Sequence, residues 1–480
     1  MKYRIISLSL LLSWVLVVNG CGTGGNQVAE GGISGTGITM GRISAFGSII
    51  VNGIKFDTQG ATFTRDNTSA TSQNEYAVGE VVTIVGKVNA DRKTGTAINV
   101  SFTDILEGPV TVKPPLLATT IQILGQTIHL NDLTVLHGFA ALNDLNPGDV
   151  LEVSGFFDAN NEIQASSLTL KNSSFAPLEL KGRIKQLDPI NKTFALNNLN
   201  VDYSSAIVLS DNGLLTNNQL VEVTSQVLIN NTLFAKKVSP VTPVQLTAED
   251  EFEIEGIVTN LDNTSTNIQF DLNNFHVITD DQTIFKDGVK NDIGLNVLVE
   301  VEGVINTDGT LLAESIELES IANLPIVEAN IDAIDYQAKT LQLFGKTIKT
   351  NRFTILYDES QQMSHPFSFD QLRVGEYADA KIRILPDGSL LALRLSREDQ
   401  ETDYTFKTVV QNIDSNTFSF TLFNIPMISN AKTTYLDANE LPISQAAFFA
   451  AVRQGISTVE VEGKPLGNNI IMTTAILVSP

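Results

Sequence analysis

Apolar and polar residues alternate along most of this chain in short runs, the two-residue period of strands that bury one face. The clearest runs are Gly79–Gly86 (GEVVTIVG), Gly148–Gly155 (GDVLEVSG), Gly294–Gly303 (GLNVLVEVEG) and Gly455–Gly463 (GISTVEVEG). Each falls late in a unit that opens with a small residue, any residue, then a branched apolar one. The openings are Gly41-Arg42-Ile43, Gly108-Pro109-Val110, Gly182-Arg183-Ile184, Gly256-Ile257-Val258 and, more loosely, Ala329-Asn330-Ile331 and Thr408-Val409-Val410. They are 67, 74, 74, 73 and 79 residues apart. A third marker, Ala-x-x-apolar, ends the units at Ala97–Val100, Ala165–Leu168, Ala235–Val238, Ala313–Ile316 and Ala392–Leu395. Three markers in constant order predict six repeats, with the late run degenerate in the third (Asn218–Ser225) and fifth (Gly375–Ile382).

Unit four shows the predicted internal order. Strands over Glu253–Asn260, Asn267–Leu272 and His276–Thr279 are followed by strands over Val297–Glu302 and Leu311–Leu318. In unit six Ser444 can cap a short helix over Gln445–Arg453 that Gly455 ends, and units two and five offer shorter turns at Phe139–Leu145 and Phe369–Val374. Five short strands with a helix or turn between the third and fourth is the order of an OB-fold barrel. An immunoglobulin-like sandwich needs about seven strands in about a hundred residues, more than these units supply. The expected fold is therefore all-β: six tandem five-stranded OB-like barrels over residues 38–105, 106–176, 177–248, 249–323, 324–401 and 402–480. Beads of this size in a row predict a rod of roughly 170 Å, stiffened at joints such as Ser239-Pro240-Val241-Thr242-Pro243.

The Gly-x-Ile opening, the Gly-x-Val-Glu-Val-x-Gly run and the Ala-x-x-Ile close resemble the bacterial domain of unknown function 5666 family, which occurs as repeats in exported lipoproteins. The resemblance covers nearly all of Gly41 to Pro480 and is weaker in units three, five and six. It implies a barrel-like fold and supplies no activity and no functional residues.

The first residues form a segment of a different kind. Lys2 and Arg4 precede an uncharged apolar run, Ile5–Val18, that is short for a membrane span and has the form of a signal peptide. Val18-Asn19-Gly20-Cys21 resembles a lipobox, with cleavage after residue 20 and a diacylglycerol on Cys21, the only cysteine. The alternative is an ordinary signal peptide with an incidental cysteine. Gly22 rather than Asp after the cysteine favours the outer membrane in a Gram-negative host, periplasmic or surface-facing. Residues 21–37, with seven glycines at positions 22, 24, 25, 31, 32, 35 and 37, have the composition of a tether. A phosphate loop would need a Gly-Lys-Ser/Thr ending, which is missing.

Charge narrows the partners. Lys plus Arg number 31 against 54 Asp plus Glu, a net charge of -23, which repels phosphate backbones and excludes nucleic acid as a partner. No Gly-x-Ser-x-Gly elbow or His-Glu-x-x-His helix occurs. His129, His137, His276 and His365 have no other histidine or cysteine at ligand spacing. His129 and His276 read as solvent-facing strand positions, His137 and His365 as loop residues. In the acidic stretch Glu249–Glu255, the alternation places Glu251, Glu253 and Glu255 on one strand face, expected to be solvated. Calcium is the sharper alternative, with Asp262-Asn263 and Asp280-Asp281 in turns, yet no Asp-x-Asp-x-Asp-Gly loop exists. No catalytic residue, cofactor or metal is therefore assigned.

The favoured expectation is a non-enzymatic, lipid-anchored envelope protein whose repeats make multivalent contacts with envelope components. The alternative is an array of barrels holding an oligosaccharide or other ligand. Aromatic residues are 7% of the chain and the single tryptophan, Trp14, lies in the leader, which disfavours sugar stacking.

Overall fold

The computed structural model describes residues 37–115, 118–171, 177–210, 214–241, 250–264, 267–286, 288–319, 324–365, 367–385 and 387–479. The expected leader, Cys21 and all of the expected tether before Gly37 lie outside them. From Gly35 onward the chain forms one compact unit.

Each repeat builds the expected order of strands. In repeat 4 a long first strand, Glu251–Asp262, is followed by the hairpin Gln269–Leu272 and Phe275–Ile278, then by Leu298–Ile305 and Leu311–Glu319. Alternation sets their faces: Phe252, Ile254, Val299, Val301 and Ile316 are buried in the barrel core. Residues 404–479 repeat the same order, and there Ser444 Oγ accepts from the Ala447 amide at 3.1 Å to cap the helix Gln445–Ala451. In repeats 2 and 5 the corresponding segment is a single 3-10 turn, Leu142–Asp144 and Phe369–Gln371. A short extra strand precedes this segment and pairs parallel with the last strand of its repeat, as Ile284–Lys286 does with Ser315–Glu317. Three residues of mixed polarity carry too little alternation to be read from sequence.

The glycine ending each late run has a steric cause. The pairing register slips between Glu302 and Gly303, a bulge at which a Cβ on Gly303 would stand 2.0 Å from the Leu312 carbonyl oxygen. Gly86, Gly155 and Gly463 sit at the same slip. The degenerate runs keep it without glycine, at Ser225 and Ile382, within the regular strands Leu220–Ile229 and Tyr377–Ile384. At Ser225 the hydroxyl bonds the bulged backbone itself, donating to Phe234 O at 2.5 Å and accepting from Val227 N at 3.0 Å.

The repeats do not form a string of beads. Their first strands pair with one another: Ile38–Met40 of repeat 1 runs parallel to Phe252–Ile254 of repeat 4, Leu106 and Glu107 of repeat 2 pair with Leu180 and Glu179 of repeat 3, and Ile326–Glu328 of repeat 5 pairs with Thr405–Lys407 of repeat 6. Three continuous sheets result, each shared by two repeats. Repeat 1 also packs on distant parts of the chain, its core taking in Leu133 and Val135 of repeat 2 and Leu324, Ile355 and Tyr357 of repeat 5. The Leu324 amide donates to Asp132 Oδ2 at 2.7 Å, and Arg394 donates to the carbonyls of Asp132 and Thr134. The expected rod is thus replaced by a folded-back body, because first-strand edges and apolar patches on repeats far apart in sequence bury one another. At the supposed stiff joint, Ser239 and Pro240 are the end of a strand, Thr232–Pro240.

Gly303→Ala is expected to lower unfolding free energy by about 2–4 kcal/mol. Gly294→Ala, whose Cβ would meet nothing nearer than Val297 Cγ2 at 3.8 Å, should change it by less than about 0.5 kcal/mol. Urea denaturation of both variants checks the contrast.

Candidate functional site

A cleft of about 590 Å³ opens where repeats 1, 2 and 5 meet. All three contribute the same part of the barrel, the short extra strand and the turn after it: Thr62–Arg65, Val135–His137 and Ile355–Asp358. The last residue of each strand, Arg65, His137 and Asp358, lines the cleft, so the ends of corresponding strands in three barrels converge on one space. Tyr76, Phe139, Tyr357 and Phe367 form much of the apolar wall.

Its charges are largely engaged. Arg65 binds Glu80 through two bonds, Oε1 at 2.8 Å and Oε2 at 3.1 Å, reaches across to Glu152 of repeat 2, and lies 4.3 Å over the Phe102 ring. Burial pushes the Glu80 carboxyl up to about 7 even though Arg65 draws it down. Asp358 behaves oppositely. Burial would raise it, yet bonds from Arg397, Ser360 and the Ser364 amide hold it at about 2. Glu398 is pushed up to about 10, first by burial and then by its hydrogen bond with Glu359. Ser396 Oγ donates to Glu398 Oε1 at 2.6 Å, and Arg394 reaches Glu359 Oε1 at 3.0 Å.

The histidines sort differently from the expectation. His137 is not a loop residue: it ends the strand Val135–His137, half-buried, with Nε2 2.8 Å from the Val78 carbonyl. A carbonyl only accepts, so the proton sits on Nε2, and burial lowers the basicity of the ring, which leaves Nδ1 as an acceptor. His365 is a loop residue that also lines the cleft, edge-on to Phe46 at 4.7 Å. His276 stands on an exposed strand face beside Asp271. His129, also on a strand, has Nε2 2.7 Å from Glu162 Oε2, and Asp158 lies close enough to complete a three-ligand set. Both Asp158 oxygens already accept hydrogen bonds, from the amides of Asn160 and Glu162 and from Gln164. A search for neighbouring histidines could not find this group, because its carboxylates come from the next hairpin.

Two further expectations change. Glu251, Glu253 and Glu255 share a face, but that face is covered: Glu255 is 2% exposed and bound to Arg42 at 2.8 Å. Glu253 is pushed up to about 8 by burial and by Glu302 opposite it. The turn aspartates are satisfied locally, Asp262 by Thr264 and Asp280 by the amides of Gln282 and Thr283, which gives no cation loop.

Raised carboxyl groups fix the sign of the pH dependence. A group with a folded pKa above its unfolded value contributes stability that is complete below the unfolded value and lost as pH rises through the folded one. With Glu80 and Glu255 near 7, Glu253 near 8 and Glu398 near 10, the melting temperature is expected to fall from pH 5.5 to pH 9. Glu398→Gln, which keeps the neutral form at every pH, should flatten that slope. Melting curves of both proteins across this range decide it.

The model of the family described as Domain of unknown function (DUF5666) matches residues 40–100, 107–169, 181–239, 255–317 and 328–396. No curated protein matches the chain. Among solved structures, one described as "drosophila Unr CSD456" is similar over 45% of this chain and 98% of its own, at 16% identity and a TM-score of 0.12, which bears no argument about function.

Proposed function

Because the chain belongs to the DUF5666 family and its repeats fold back on one another, we propose that it is an exported, lipid-anchored, non-enzymatic binding protein whose central cleft holds a small cationic ligand. The observation that carries this reading is the convergence of equivalent strand ends from three barrels on one cleft of ligand size. Its walls pair aromatic rings with the carboxyl groups of Glu75 and Glu359, a combination that suits an ammonium group. The chain's net charge of -23 favours the approach of a cation. A scaffold of independent beads is less supported, since the first strands that beads would offer to partners are spent on one another. The lipid anchor at Cys21 rests on the lipobox resemblance.

Calorimetric titration with spermidine, choline and arginine tests the cleft, with maltohexaose as the neutral comparison. One of the amines is expected to bind saturably at one per chain, and Phe139→Ala with Glu359→Gln to weaken it by about tenfold or more, a loss of about 1.4 kcal/mol. Binding of maltohexaose alone would move the reading to glycans, and binding of none would contradict it. Palmitate labelling in the host should mark the wild type and spare Cys21→Ala; equal labelling would remove the anchor.

A further inference from the structure

A second group of acidic residues lies at the junction of repeats 1, 2 and 3. The first strand of repeat 2, Leu106–Pro109, runs between the first strand of repeat 3 and the strand Val150–Phe157 of repeat 2. Glu107 therefore stands directly opposite Glu179 on one side and Glu152 on the other, three carboxylates in a row on one sheet face. Like charges in such a row repel. Asp104, just before the strand, adds another: one carboxylate oxygen from each of Asp104, Glu107 and Glu152 lies within 4.8 Å of the others.

These groups are removed from water, with Asp104 3%, Glu107 7% and Glu152 2% exposed. Nearby cations answer them unevenly. Lys171 Nζ is 2.6 Å from Glu152 Oε2 and 3.7 Å from Glu107 Oε2, and Arg65 binds Glu152 Oε1 while also serving Glu80. Lys181 points its ammonium at the Asp104 main-chain carbonyl instead of its side chain. Asp66 joins the group by accepting the Asp104 amide at 3.1 Å. Above all, Asp104 Oδ2 is buried and accepts no hydrogen bond. An orphaned, buried carboxylate oxygen is costly, and it belongs to a member of the three-oxygen cluster.

We propose that a calcium ion binds among Asp104, Glu107 and Glu152. Three oxygens within 4.8 Å of one another need shift by no more than about half an ångström to converge on one ion at calcium–oxygen distances of about 2.3–2.6 Å. The bonds from Arg65 and Lys171 use one lone pair on each Glu152 oxygen and leave a second free. Magnesium retains several waters in strict octahedral geometry and fits a buried carboxylate cluster poorly. The ion would supply the positive charge that the row lacks and tie the paired sheet of repeats 2 and 3 beside the Arg65 arm of repeat 1. It is independent of the cleft proposal.

The test uses the full chain, freed of metal with a chelator and titrated with calcium by calorimetry and by thermal melting. One calcium per chain is expected, with a melting temperature that climbs as calcium is raised. Asp104→Asn should weaken binding by at least about tenfold, yet its calcium-free form should melt at or above the calcium-free wild type, because an unanswered charge has been removed. A side chain with a purely structural role would lower it. Glu107→Gln gives the same contrast if the first variant does not fold. No saturable calcium binding, unchanged binding in either variant, or an equal rise in melting temperature with sodium or potassium would overturn the proposal.

Discussion

The first strand of each barrel is an exposed row of amides and carbonyls until something pairs with it. Strand edges left open are sites of uncontrolled association, and buried ones must be satisfied. Here the partner is another first strand of the same chain, and the pairs join repeats 1 with 4, 2 with 3 and 5 with 6. Two of these pairings, 2 with 3 and 5 with 6, could be guessed from adjacency, since consecutive elements tend to be neighbours. The pairing of repeat 1 with repeat 4 skips two barrels. That long connection forces the rest of the chain to pack around repeat 1, and the cleft between repeats 1, 2 and 5 is a result of that packing.

The same pairings account for the unusual burial of acids. A strand face that would be solvated in an isolated barrel becomes an interior face when another barrel lies against it. Arg42, two residues after the parallel register Met40–Ile254, meets Glu255 through both its amide and its guanidinium. Glu253 and Glu300 hydrogen-bond to each other on that face, and Glu300 is held well above the ordinary carboxyl range, first by burial and then by Glu253. Carboxyl pairs of this kind need a shared proton or a cation, so a strongly acidic chain can fold this way only by using both.

Much of the barrel was legible because alternation and glycine report local sterics. The five strands of repeat 4 fall within a few residues of the runs that predict them, and the glycine of GLNVLVEVEG marks a bulge at which a Cβ on Gly303 would meet the Leu312 carbonyl oxygen. Repeats 3 and 5 looked degenerate only because Ser225 and Ile382 occupy the same bulge without glycine. The cleft was not legible. Arg65, His137 and Asp358 end corresponding strands, but they differ in type and lie 72 and 221 residues apart, in short strands without a clear period. Glu251, Glu253 and Glu255 were placed on the right face and in the wrong environment, because what covers a face is decided by a repeat far away in sequence.

Small-angle scattering of the chain from Gly35 onward tests the folding back most directly. A closed body of this length has a radius of gyration of about 23 Å, whereas six barrels in a row would give about 50 Å. Sheets shared between repeats require a value near the first. A value near the second would show barrels that keep their own first strands open, and would contradict both the shared sheets and the cleft they create.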